Sequence, residues 1–164
     1  MIKKFTLVIF VFILLCSFSL NSEDWDWDEY GITWSMPDSF KIEDCDAEKI
    51  GARDKTKGDC TLRIQPWKDA NATAVDVCNK GISTWSGWSN TVTTEEGELQ
   101  HDGGFTGYYK MGTGMQAGRK RNWVVIGLID PNSPTNFFFR SGFDVGFESN
   151  FDIIVEIYNS FKKK

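Results

Sequence analysis

From Arg121 to Ile129 the chain reads Arg-Asn-Trp-Val-Val-Ile-Gly-Leu-Ile, apolar at both alternating sets of positions. In an extended chain Val124, Ile126 and Leu128 point one way while Trp123, Val125 and Ile129 point the other. A strand with two apolar faces must be covered on both, so it lies at the centre of a layered sheet. This one segment excludes a helical bundle and an open sheet wetted on one side.

The flanking sequence supplies partners for that strand. Val92 to Gln100 turns at His101-Asp-Gly-Gly104 into Phe105 to Met111, and Gly112 to Gly118 reads as a loose turn into the central strand. Asp130-Pro-Asn-Ser-Pro134 then turns the chain into Asn136 to Phe143. Upstream, Gly31 to Met36 reads as a strand stopped by Pro37-Asp38. Glu48 to Arg53 and Cys60 to Trp67 read as a hairpin across the polar turn Asp54 to Asp59. In its second strand Cys60, Leu62 and Ile64 share one face, and Thr61, Arg63 and Gln65 the other.

Two helices complete the pattern. Thr73 is an N-cap, and Val75, Cys78, Ile82 and Trp85 form an apolar stripe in a helix broken at Ser86-Gly87. A second helix starts near Ser149 with the stripe Phe151, Ile154, Tyr158 and Phe161. Lys162 to Lys164 are expected at its C-terminal end, favourable for the helix dipole. The predicted class is α+β: a central, mainly antiparallel sheet of about six to seven strands with helices packed on its faces.

Met1-Ile-Lys-Lys followed by the apolar run Phe5 to Leu15 and by Ser17-Phe-Ser19 has the form of a secretory signal peptide. The run is too short for a membrane span, which needs about 20 residues. The expected organisation is a signal at residues 1–19, an acidic, tryptophan-bearing arm at 20–29 and a single domain at 30–164. The expected location is secreted or periplasmic. A lipoprotein signal ending at Cys16 is disfavoured because Leu15 is bulky, so membrane attachment is expected only through the signal. Removing residues 1–19 leaves 145 of the 164 residues, one ordinary domain. Without Lys3 and Lys4 the 18 basic residues fall to 16 against 23 acidic, a net charge near −7. Such a chain repels phosphate backbones, which disfavours nucleic-acid binding, and no nucleic-acid partner is expected.

The block Ile32-Thr-Trp-Ser-Met-Pro37-Asp-Ser-Phe40 resembles the opening of PsbP-like domains: a strand, a proline, a small turn and an aromatic. Phe137-Phe-Phe-Arg-Ser-Gly-Phe143 and Ile157-Tyr-Asn-Ser-Phe161 resemble their last strand and last helix. The resemblance runs from Tyr30 to Lys163 and implies an α/β sandwich. Proteins of this type include a lumenal photosystem subunit, a Ran-binding nuclear import factor, exported lipoproteins and chaperones of secreted toxins. The resemblance therefore implies a non-catalytic partner of other proteins, and it carries no catalytic residues over.

The residues agree with that absence of chemistry. His101 is the only histidine, in a Gly-Gly turn where polar residues serve the turn itself. Cys45, Cys60, Cys78 and His101 lack the close ligand pair that anchors zinc sites. Asp24, Asp26 and Asp28 imitate the start of a calcium loop, but Glu29 stands where its glycine belongs and Ser35 where its bidentate glutamate belongs. No cofactor is expected.

Two surfaces are candidates for a partner: Trp25 and Trp27, alternating with carboxylates, and the basic cluster Arg119-Lys120-Arg121. The function expected is a protein-binding or assembly factor. The alternative is an envelope module binding carbohydrate or a cation through Trp25, Trp27 and the neighbouring carboxylates. Of the three cysteines after the signal, Cys45 and Cys60 lie far apart along a regular hairpin, and a helix returning from Thr73 brings Cys78 toward the level of Cys45. A Cys45–Cys78 disulfide is the expected pair, with Cys60 a buried thiol.

Overall fold

The computed structural model describes residues 22–101 and 103–164. The signal segment at residues 1–19, Cys16 and Asp102 lie outside these. The chain forms strands β1 (Ser22–Trp27), β2 (Ile32–Pro37), β3 (Lys41–Cys45), β4 (Ile50–Asp54) and β5 (Cys60–Lys68), then helix α1 (Ala74–Ser83). Strands β6 (Trp88–Leu99), β7 (Thr106–Gln116), β8 (Arg119–Ile129) and β9 (Thr135–Asp144) follow, then α2 (Asn150–Asn159) and the short β10 (Lys162–Lys163).

Seven strands make one antiparallel sheet in the order β3-β4-β5-β9-β8-β7-β6. β8 is an interior strand of this sheet, buried from Arg121 to Leu128, as its two apolar faces require. Val124, Ile126 and Leu128 join the main core with Leu62, Ile64, Phe137, Phe139 and Phe143. Ile154, Ile157 and Tyr158 of α2 belong to the same core. On the other side of β8, Trp123 and Val125 join Cys78 of α1 in a smaller cluster. Gly127 lets α1 approach this closely, since a Cβ there would stand 2.6 Å from the Cys78 amide nitrogen.

A second sheet, β1-β2-β10, is absent from the sequence reading. β1 pairs antiparallel with β2, placing Trp25 opposite Trp34 and Trp27 opposite Ile32. β10 pairs with Ile32 and Thr33. The C-terminal lysines thus extend a sheet instead of ending a helix. Lys163 reaches the buried carboxylate of Asp130, and Lys164 bridges Asp26 at 3.1 Å and also meets Asp28.

Three further expectations are corrected. β7 does not stop at Met111 but runs to Gln116, and the turn is only Ala117-Gly118, both at positive φ. Gly112 and Gly114 resemble turn residues, yet both serve close packing: a Cβ on Gly112 would meet the Val92 carbonyl, and one on Gly114 would lie 3.0 Å from Trp88. α1 keeps its Thr73 cap, with a reciprocal bond to Asp76, but ends at Ser83 and buries Val77, Cys78 and Gly81, leaving Val75 37% exposed. Finally, β3 is a strand the sequence reading lacked. It turns back at residues 46–49, so Cys45 pairs with Ile50 at the sheet edge.

That edge position overturns the expected Cys45–Cys78 bridge. Cys78 donates to the Val125 carbonyl over β8, four strand spacings and about 19 Å from β3. Cys45, Cys60 and Cys78 are all free thiols.

Candidate functional site

Of the five residues expected at a partner surface, Trp27 and Arg121 are buried, Trp25 is half-buried, and Arg119 and Lys120 are exposed. Trp27 is 4% exposed and packs edge-on against Tyr30 at 4.8 Å and against Phe137 at 5.7 Å. Trp25 is half-buried and stacks on Trp34 at 6.3 Å. Neither indole is presented as a flat platform. Among the described residues no group of three or more His, Cys, Asp or Glu side chains could hold a metal ion.

The basic cluster divides along β8. Arg121 is 4% exposed and donates to the Asp59 carbonyl at 2.5 Å, the Gly142 carbonyl at 3.1 Å and Gln116 Oε1 at 2.8 Å. It also pairs with Asp144 at 3.2 Å. Arg119 is exposed and lies 3.6 Å from Asp59 and 3.8 Å from Asp144. Lys120 is exposed. The bidentate bonds of Arg53, at 2.6 and 2.7 Å, hold the Asp59 carboxyl below its ordinary range against the opposing cost of burial. Charges of both signs meet at this corner, so it is a closed network and not a free cationic patch.

His101 is a loop latch. Its Nδ1 accepts from the Gly103 amide at 2.9 Å and its Nε2 meets the Tyr158 carbonyl at 3.0 Å. The ring packs edge-on against Phe105 and Tyr158. The buried thiols are chemically quiet, because burial pushes Cys60 up to about 11 and Cys78 up to about 12.

Among the described residues, a buried cation without a matching charge stands elsewhere, on a row of residues that crosses the large sheet. Strand register aligns Gly51 of β4 with Arg63 of β5, Arg63 with Arg140 of β9, and Arg140 with Val125 of β8. Val125 lies under Gly81 of α1, and at the far end of the row Gly51 packs against Asp44 of β3. Over the row lies a cavity of about 240 Å³, lined among others by Glu43, Thr61, Arg63, Trp85, Gln116 and Arg140. Trp85 also borders a second, apolar cleft of about 170 Å³ with Ile82, Trp88 and Trp123.

Arg140 is 5% exposed, yet no carboxylate lies within ion-pair distance of it among the described residues. Its Nη2 donates to Gln65 Oε1, its Nη1 to Thr84 Oγ1 at 3.4 Å, and its Nε has no acceptor. The guanidinium lies over the rings of Phe138 at 5.2 Å and Trp85 at 5.9 Å, which offsets part of its desolvation. Burial, and then the neighbouring charge of Arg63, lower its proton affinity to about 10. A buried charge with no counter-charge costs several kcal/mol, and like charges directly opposite across two strands add to that cost.

The sequence held a signal for this site. Arg140 interrupts the aromatic run Phe137-Phe-Phe-Arg-Ser-Gly-Phe143, and Arg63 falls on the polar face of β5 with Thr61 and Gln65. Their pairing depends on β5 lying beside β9, which local pattern does not specify.

Comparison with known proteins places this architecture. No family model and no curated protein matches the chain by sequence. Solved structures match by shape over most of its length. The Ran-binding protein Mog1p of Saccharomyces cerevisiae superposes with a TM-score of 0.67 at 8% identity, covering 88% of this chain and 96% of that one. The fold is PsbP/Mog1-like. The cyanobacterial PsbP of Synechocystis matches with a TM-score of 0.63 at 10% identity, over 88% of this chain and 94% of its own. LpqN of Mycobacterium tuberculosis, described as involved in cell envelope biogenesis, matches with a TM-score of 0.56 at 13% identity, over 87% and 90%. These likenesses establish the fold, and the expected PsbP-like sandwich is correct at that level.

Proposed function

We propose that this chain is an exported, non-catalytic accessory domain that holds a partner protein in the groove over β3, β4 and β5 beside Trp85. In this reading the sheet is sandwiched by α2 and the small second sheet on one face and by α1 on part of the other. The remainder of that second face is left for the partner. The observation that carries the reading is the cavity on this stretch of sheet, where Gly51, Arg63 and Arg140 lie in one row. Support from the fold is general: one similar structure is named as Ran-binding and another is tied to cell envelope biogenesis. Export rests on the Met1 to Ser19 segment. Trp25, Trp27 and Arg121 serve as framework, while Arg119 and Lys120 are exposed for secondary contacts.

The test is site-specific photocrosslinking in the native host, with the probe at Glu43 or Ser86 on the groove and at Glu156 on α2 as control. One protein captured at both groove positions, absent from the control and lost with Arg63→Glu, is the expected result. Capture from α2 instead, or from no position, would sink the reading, and recovery of the chain in the cytoplasm would sink its export.

A further inference from the structure

We propose that the cavity between Arg63 and Arg140 is a binding site for a carboxylate group. The proposal deepens the partner-protein reading by resting on the same groove, yet the two can fail separately.

The other buried cation of this sheet and two half-buried ones meet an acid: Arg121 reaches Asp59 and Asp144, Arg53 grips Asp59, and Lys110 pairs with Glu96 at 3.1 Å. Arg140 is among the most buried cations in the chain and has no such partner. Its two bonded N–H groups go to neutral side chains, Gln65 and Thr84, which leaves three of its five donors without a protein acceptor among the described residues. Arg63, in register beside it, has no ion pair among the described residues either. Two adjacent unmatched guanidiniums repel each other, and an anion between them removes that repulsion.

The surroundings select the kind of anion. A guanidinium is a planar fork that matches the two oxygens of a carboxylate. Thr61 and Gln116 add neutral polar atoms to the lining, and Trp85 provides an apolar wall for the carbon atoms that carry the acid. Glu43 is the single carboxylate on the lining. It stands on β3, about 14 Å from β9 by strand spacing, where it disfavours a doubly charged phosphate more than a monoanion. The chain's net charge of −5 acts in the same direction. Two sources offer this chemistry: an acidic side chain of a partner protein, or a small organic acid.

The test is a nuclear magnetic resonance titration of the purified protein at constant ionic strength, following the Arg140 Nε–H and Trp85 indole resonances. The probes are N-acetylglutamate amide, succinate and inorganic phosphate. Saturable shifts with N-acetylglutamate amide favour the side-chain source, and shifts with succinate alone favour the organic acid; either supports a carboxylate site. Arg63→Gln, an exposed substitution, is expected to weaken binding about tenfold or more, and Arg140→Met to abolish it. Arg140→Met is also expected to melt at or above the wild-type temperature, because it removes an unmatched buried charge. No saturable shift with either acid, or an equal response to phosphate, would overturn the proposal. So would an Arg140→Met variant that melts several degrees lower, which would make the arginine structural.

Discussion

Single residues here divide into matched and unmatched charges, and the two kinds respond oppositely to removal. Arg121 satisfies two carbonyls and a glutamine and pairs with Asp144 from a buried position. Arg121→Met is expected to lose about 3–5 kcal/mol of stability in urea unfolding, because it strands those buried acceptors and removes the nearest cation of Asp144. Asp59 makes the acid limb of stability predictable. Arg53 holds its carboxyl below the ordinary value of 3.8 in the folded state, so the unfolded chain takes up a proton first. The resulting stabilisation is present above that ordinary value and is lost as pH falls through the lower folded value. Asp59→Asn should therefore flatten the fall in stability below about pH 4. Thiol chemistry separates the cysteines equally well. Iodoacetamide at pH 8 is expected to modify exposed Cys45 in the native protein and to spare Cys60 and Cys78, as read by peptide mass mapping.

Elements in this fold are fixed by where a side chain is missing as much as by where one is present. α1 sits on β8 because Gly127 offers no Cβ: one placed there would collide with the Ala74 carbonyl and approach the Cys78 amide and Val77. Gly127→Ala is expected to cost about 1–3 kcal/mol by this overpacking. It should also speed alkylation of Cys78, a readout specific to α1 lifting away from the sheet. The same logic explains β7, whose Gly112 and Gly114 make room for β6 and Trp88. A glycine pair that reads as a turn is here a sign of close backbone approach.

At the scale of the whole molecule, two sheets are joined through aromatic packing and through the C-terminal lysines. Trp27 and Phe161 both pack on Phe137, so β1, the end of α2 and β9 converge on one ring. Lys163 meets Asp130, which is 3% exposed. Lys163→Met is expected to destabilise the protein by about 1–3 kcal/mol by leaving that carboxylate buried and unpaired, with intrinsic tryptophan fluorescence reporting any loosening around Trp27 and Trp34. The open part of the large sheet beside Trp85 gives the molecule one face whose charges its own chain does not neutralise.

What the sequence determined by itself was local. The double apolar face of β8, the alternation of Leu62 and Ile64 against Thr61, Arg63 and Gln65, the Thr73 cap and the turn between Asp54 and Cys60 follow from side-chain period and turn chemistry acting over a few residues. They were enough to give the α+β class, and with the resemblance at Ile32 to Phe40 and at Phe137 to Phe161 they pointed to the PsbP-like sandwich. Tertiary structure alone decided whatever depends on which distant strands become neighbours. Placing β3 at the sheet edge separated Cys45 from Cys78. Pairing β10 with β2 turned Lys163 and Lys164 from a helix end into a clasp. Setting β5 beside β9 brought Arg63 opposite Arg140, 77 positions later in the chain. Periodicity states which face a residue occupies but not which strand lies alongside, and the candidate site is made by that second choice.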